Sequence, residues 1–196
     1  MPFPSIVLAS TSPYRRELLQ RLRLSFQVVA PNVDELPLPS ETPRLTALRL
    51  ARDKATTVAT RFPGAIVIGS DQTVDADGAA LGKPMSHDVA LAQLQQLQGR
   101  SAVFYTAVAV VGPSDGVQVD CIPTNVKFKT FPKDRLEAYL RADSPYDCAG
   151  AAKIESLGIA LIESVESTDP TALIGLPLIR LTSMLAEVGI DVLAPQ

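Results

Sequence analysis

The sequence predicts an α/β domain of two lobes built around a mixed central sheet. Three observations carry this reading. Apolar runs alternate with helix-period segments over about the first 70 residues, as parallel strands joined by helices do. The middle of the chain instead carries a hairpin signal and two long β-rich runs joined by a turn, the pattern of antiparallel strands. No internal repeat, low-complexity tract or linker divides the 196 residues, which suffice for one domain, residues 1–196, with a substantial core.

The elements follow in order. Ile6–Ala9 is a buried first strand, and Ser12 caps a helix from Pro13 to about Leu22. A second strand lies near Phe26–Ala30. Val33–Glu41, VDELPLPSE, holds turn formers and acids and reads as a loop. Thr42 caps a long helix with Pro43 at its first position, running to about Arg61. Ala65–Asp71, AIVIGSD, is the clearest strand and ends in Gly-Ser-Asp. Asp77-Gly78 marks a hairpin between two short strands, the second ending at Lys83-Pro84. Ser86 caps a helix that stops at Gly99. Strands at Ala102–Val111 and Val117–Phe128 are joined by GPSDG. A helix at about Lys133–Arg141, a strand near Gly158–Ile162 and a helix after Pro177 complete the chain.

Bulk composition narrows the function classes. Apolar residues make up 46% and charged residues 20%, a globular mix. A net charge of −3 provides no general attraction to nucleic acid polymers or anionic membranes, so any anion site must be local. No apolar stretch reaches membrane-spanning length, and the start, MPFPSIVLAS, has no basic region of the signal-peptide type. Cys121 and Cys148 form neither a metal spacing nor a disulfide framework, and read as buried thiols in a reducing compartment. A cytoplasmic protein is expected.

The stretch LASTSPYRRELL, Leu8–Leu19, is the first candidate site. Ser12 and Pro13 start a helix directly after a strand, where free backbone N–H groups and the helix dipole favour an anion. Arg15 and Arg16 in that turn add guanidinium groups that grip phosphate oxygens with paired bonds. Cations at a helix N-terminus are mildly unfavourable unless an anion joins them. The stretch lacks the glycine spacing and lysine of a P-loop, and a solvated charged helix start is the alternative.

Asp71 is the second candidate. At the carboxyl end of a sheet strand, where α/β proteins build clefts, a carboxylate can bind a divalent cation or take a proton from an attacking water. A strand-ending Asp in a turn is the plainer reading. Lys83 follows the hairpin returning from Asp71, Asp34 and Glu35 lie in the proline-containing loop, and Lys54 lies on the long helix. These cations and acids are the parts of a triphosphate–metal site, with Mg²⁺ or Mn²⁺ as the matching hard cation. His87, the single histidine, sits in the first turn of a helix and reads as a surface residue. Asp75 and Asp77 belong to the hairpin.

Taken in order, these blocks resemble the Maf family of nucleoside triphosphate pyrophosphatases. The blocks are LASTSPYRRELL, VDE at Val33–Glu35, Lys54-Ala55, IGSDQTV, LGKP at Leu81–Pro84, FYTAVAV, CAGAAKIE at Cys148–Glu155 and IGLPL at Ile174–Leu178. Together they span nearly the whole chain. The resemblance implies a two-lobed α/β fold related in shape to inosine triphosphate pyrophosphatases, with a nucleotide cleft between the lobes. It also implies hydrolysis between the α and β phosphates with a divalent metal, releasing a nucleoside monophosphate and pyrophosphate. By motif position, Asp71 is the proton acceptor and Glu35 the acidic metal-side or water-side residue. Ser10, Arg15, Arg16, Lys54 and Lys83 match phosphate-side positions. A homodimer is expected by resemblance alone.

Relatives acting on dTTP and UTP look like SPRR, SDT or ADT, and a Gln near the late AG block. This chain has Tyr14, Gln72 and Glu155 there, which is similar to the branch acting on 7-methyl-GTP. Tyr14 departs from that branch where some members carry Trp. Methylation at N7 makes the purine cationic. An aromatic face can stack on that charge for roughly 0.5–2 kcal/mol, and a carboxylate can accept from guanine N1–H and its amino group. Two rivals remain: a pyrophosphatase for dTTP, UTP or another modified nucleotide, and a nucleotide-binding regulator touching cell division.

Overall fold

A computed structural model describes residues 5–114 and 116–194. Its elements are β1 (Ile6–Ala9), α1 (Pro13–Gln20), β2 (Phe26–Val29), α2 (Pro43–Ala59), β3 (Ile66–Ala76), β4 (Ala79–Leu81), α3 (His87–Leu97), β5 (Ser101–Val111), β6 (Val117–Phe128), α4 (Lys133–Asp143), β7 (Ile162–Ser167) and α5 (Leu178–Glu187). The strands form one mixed sheet in the order β2-β1-β3-β5-β6-β7, with β4 pairing β3. β1 runs parallel to β2 and β3, and the remaining pairs are antiparallel. The mixed-sheet α/β expectation therefore holds. Among the described residues no helix is long and apolar enough to cross a membrane.

Alternation along β3 and β5 explains how three clusters share one sheet. On one face Ile66, Ile68, Val108 and Val110 pack against Leu18 and Leu19 of α1 and Leu181, Met184 and Leu185 of α5. Further along that face Val74, Ala76 and Phe104 meet α3 and α4, forming the second lobe. The opposite face belongs to α2, whose Ala47, Ala51, Ala55 and Val58 lie on Val7, Val67, Ala107 and Ala109. Each fully buried Leu, Ile or Phe contributes roughly 1.5–3 kcal/mol.

The α2 contact depends on a glycine. A Cβ on Gly69 would stand 2.3 Å from the Ala51 carbonyl oxygen and 2.7 Å from the Ala55 nitrogen. The bare strand and the alanine stripe therefore let helix and sheet backbones approach closely, which brings this turn of α2, with Lys54 in it, over the sheet.

Three expectations need correction. Asp71 is not at the end of its strand, because β3 runs on to Ala76. The parallel pairing with β1 stops at Ala9 opposite Gly69, while pairing with β5 continues through Asp75. β4 pairs β3 only from Val74, so the flank from Ser70 to Thr73 faces a gap in the sheet. The cleft opens there, and Asp71 reaches it from mid-strand. The strand placed near Gly158–Ile162 is a 3₁₀ turn, Leu157–Leu161, followed by β7. β7 is a polar edge strand whose residues after Ile162 are exposed, so it lacks an apolar pattern. The strand set to end at Lys83-Pro84 ends at Leu81. The helix ends differ by two residues at most positions, while Asp77 and Gly78 adopt the positive φ of their hairpin turn. The start, MPFP, and Asp115 of GPSDG lie outside the described residues.

Candidate active site

The gap beside β3 is the floor of a cleft of about 750 Å³, within the usual range for a small-molecule site. Its walls come from the β1–α1 corner, the 30–37 loop, α2, the segment after β4, residues 147–155 and the loop at 173–175.

Lys54 is the centre of the arrangement. The close packing at Gly69 brings this buried lysine over β3, where Nζ donates to Asp71 Oδ1 at 2.7 Å. The same Nζ lies 2.7 Å from Glu35 Oε1. Burial alone would raise the Glu35 carboxyl. The hydrogen bond and charge of Lys54, with the nearby cations Lys83 and Arg15, outweigh it and hold the group below its ordinary range.

Glu35 is held by its loop. Arg49 of α2 donates from Nη2 to the Leu36 carbonyl at 3.0 Å and grips Glu41 with two bonds of 2.8 Å. Glu41 also accepts from Leu38 N and Thr46 Oγ1. The Arg49 bond, with the smaller pull of these donors, lowers its carboxyl to about 2 despite opposing burial. Glu41 and Arg49 are eight residues apart and pair between a loop and a helix, so no local spacing revealed them.

The β1–α1 corner forms as its residues dictate. Ser12 caps α1 by accepting from Arg15 N, and buried Ser10 Oγ accepts from Ser12 N. Arg15 turns into the cleft, where Nε donates to the Gly175 carbonyl at 2.9 Å. Burial pulls its guanidinium below the ordinary arginine range, against Asp71 and Glu35. Gly175, at φ 126°, presents that carbonyl to Ser70 Oγ as well. Arg16 is exposed and lines a shallow surface with Gln20, Phe26 and Val28 instead. Successive helical side chains point about 100° apart, so the expected grip by two adjacent arginines reduces to Arg15.

The other end of the cleft carries the residues assigned to the base. Half-buried Tyr14 and Cys148 lie there beside exposed Asp147 and Glu155. Burial, reinforced by Cys148, Asp147 and Glu155, pushes its hydroxyl above the ordinary tyrosine range. Burial also raises Glu155, with Asp143 and Asp147 adding to it and Lys153 opposing. Asp147 immediately precedes the CAGAAKIE block, and nothing in its own spacing marks it. Gln72 borders the cleft, but its Nε2 lies 2.8–3.1 Å from Thr106 Oγ1 and the Ala172 and Leu173 carbonyls. Its amide nitrogen therefore fixes the loop that carries Gly175. Lys83 is exposed on the cleft rim.

Two further expectations change. Cys121 is buried, whereas Cys148 is half-buried and lines the cleft. Burial pushes their thiols up to about 11 and about 12, which favours the protonated form. His87 is not a free surface residue. Its Nδ1 lies 3.0 Å from Tyr146 Oη and its Nε2 3.4 Å from Glu137 Oε2.

Residues 5–188 match the family described as Maf-like protein. The chain is 56% identical over 190 residues to a 7-methyl-GTP pyrophosphatase of Polaromonas sp., covering 96% of this chain and 87% of that one. It is 56% identical over 191 residues to the protein of that name from Thiobacillus denitrificans, covering 97% and 95%. A solved HAM1 protein from Coxiella burnetii covers 94% of this chain and all of its own at 16% identity, with a TM-score of 0.48. The family match spans the strand, helix and loop segments that build the cleft, and the chain belongs to the Maf family.

Proposed function

We propose that the chain is a nucleoside triphosphate pyrophosphatase that hydrolyses 7-methyl-GTP to 7-methyl-GMP and pyrophosphate. The observation that carries this is the polarity of the cleft. Arg15, Lys54 and Lys83 gather around the carboxylates of Glu35 and Asp71, whereas Asp147 and Glu155 gather around Tyr14. A ligand with an anionic tail and a cationic ring matches both ends, and 7-methyl-GTP is such a molecule. Two relatives above half identity bear that activity in their names.

Each side chain has a task in this reading. Arg15 and Lys83 offset charge on the phosphate oxygens and on the leaving pyrophosphate. Lys54 holds Asp71 through Oδ1, leaving Oδ2 to orient the attacking water and receive its proton. Ser10 and the first turn of α1 add donors at the phosphate end. Tyr14 stacks on the methylated ring, and Glu155 accepts from its N1–H and amino group. Gln72 acts through the loop that fixes Arg15.

A divalent cation such as Mg²⁺ or Mn²⁺ belongs to this reading, and the donors suit it. Asp71 and Glu35 would hold it through the hard carboxylate oxygens that are not bonded to Lys54 Nζ. When bound, the cation neutralises charge developing on the phosphoryl oxygens. A cytoplasmic place of action goes with this reading, because nucleoside triphosphates are concentrated there.

The test is pyrophosphate release with Mg²⁺ or Mn²⁺, comparing 7-methyl-GTP, GTP, dTTP, UTP and CTP. Wild type should prefer 7-methyl-GTP, and Asp71→Asn should lose at least about 100-fold in kcat. Glu155→Gln should cut the preference over GTP about tenfold, the loss of one charge-assisted bond. Preference for dTTP or UTP would sink the substrate assignment. Binding without turnover would favour the regulatory role.

A further inference from the structure

A cation stands beside the base end of the cleft, against one of its lining residues. Lys153 Nζ lies over the Tyr14 ring, 5.5 Å from its centroid. It is also close enough to Glu155 to oppose the upward pull on that carboxyl from burial, Asp143 and Asp147. Lys153 is thus the basic residue set among these acids, with its ammonium over an aromatic face.

The main chain beneath it is fixed. Lys153 N donates to Tyr139 Oη at 3.0 Å, and the Lys153 carbonyl accepts from Ser156 N at 3.1 Å. Tyr139 is itself anchored, donating to the Ala151 carbonyl at 3.2 Å. Gly158 packs against the same peptide so tightly that a Cβ there would stand 2.5–2.7 Å from Lys153 backbone atoms. A half-buried side chain on this support can leave the ring by rotating its own four methylenes, with no backbone movement.

From this arrangement we infer that Lys153 is a specificity-determining residue: its ammonium occupies the Tyr14 face as a placeholder cation, and the substrate base must displace it. The inference rests on the proposed substrate. A 7-methylguanine ring replaces one cation on Tyr14 with another, so the attraction between ring and cation survives the exchange. A neutral guanine ring forfeits that attraction, at a cost of about two- to fivefold in affinity. Lys153 also sets an upper limit on affinity for the cationic base, because a displaced ammonium stays tethered nearby and repels it.

The test uses the full chain with Lys153→Met and Lys153→Arg, assayed on 7-methyl-GTP and GTP at low and high salt. Lys153→Met should lower KM for 7-methyl-GTP about three- to tenfold and KM for GTP less, widening discrimination, with kcat within twofold of wild type. Lys153→Arg restores a cation over the ring and should return both KM values to within twofold of wild type. The Lys153→Met gain should shrink at high salt, as repulsion between charges does. An unchanged or higher KM for 7-methyl-GTP in Lys153→Met, with wild type preferring that nucleotide, would overturn this inference alone. A wild type preferring dTTP or UTP would overturn the substrate reading and this inference together, because a pocket for a neutral base has no use for a stand-in cation.

Discussion

Gly69→Ala tests whether the close approach of α2 to the sheet is what delivers Lys54 to Asp71. The new methyl carbon would lie 2.3 Å from the Ala51 oxygen, 2.7 Å from the Ala55 nitrogen and 2.9 Å from the Ala55 Cβ. Ordinary contacts begin near 3.4 Å, so α2 must retreat by about 1 Å. The obstacles are backbone atoms of a buried helix and cannot rotate aside. Overpacking of a core costs roughly 1–3 kcal/mol, and this geometry belongs at the upper end. Reduced unfolded-state entropy returns about 0.4–1 kcal/mol where the backbone accepts alanine. The net expectation is a loss of about 2 kcal/mol, or roughly 4–8 °C in Tm for a chain of this length. The same retreat would stretch the 2.7 Å Lys54–Asp71 bond beyond hydrogen-bonding range, and misplacement of about 1 Å can cost 100-fold in kcat. Urea unfolding and pyrophosphate release measure the two effects. Gly112→Ala is the control, because its Cβ would meet only the Val188 side chain, which can give way. A Gly69→Ala protein with wild-type midpoint and turnover would refute the argument.

Other predictions follow from the same geometry. Arg15→Ala should raise KM for every nucleotide at least tenfold, while Arg16→Ala should change it less than twofold, since only Arg15 lines the cleft. Equal losses in steady-state assays would return Arg16 to the phosphate site. Gln72→Ala should lower stability by about 1–3 kcal/mol and raise KM for all nucleotides alike, because it releases the loop holding Arg15. A change in the ratio between 7-methyl-GTP and GTP alone would instead make Gln72 a direct reader of the base. Glu41, lowered from 4.5 to about 2 mainly by Arg49, contributes stability that is present above pH 4.5 and lost as pH falls toward 2. Urea midpoints measured across that window should fall less steeply in Glu41→Gln than in wild type, and parallel curves would contradict the low value.

Much of this architecture could be read from local pattern. Ile6–Ala9, the two proline-started helices after Ser12 and Thr42, and the Asp77-Gly78 turn each depend on neighbours in sequence. Their bounds in the structure are close to the expected ones. β7 could not be read that way, because its partner β6 and not an apolar rhythm makes it a strand. Asp71 reads in the sequence as a strand-end cleft residue, whereas it borders the cleft from mid-strand. The sheet splits beside it because β1 is short, which is a property of two strands together. Arg15 and Arg16 look equivalent in sequence, and only the rotation of the helix separates them. Lys153 and Asp147 acquire their meaning from Tyr14, more than 130 positions earlier in the chain.

The ladder between β3 and β5 has a mechanical consequence. It runs without interruption from Val67–Val111 to Asp75–Val103, passing under both lobes and through Asp71. Swinging one lobe away from the other would shear those hydrogen bonds, so the pair acts as a stiff beam under the reacting carboxylate. Nucleotide entry and product escape then fall to the pieces that rim the beam: the loop bearing Glu35, the segment bearing Lys83 and the side chain of Lys153. Those amide protons of β3 near Asp71 that donate to β5 should accordingly be among the slowest in the chain to exchange with solvent, although they stand at the edge of an open cleft.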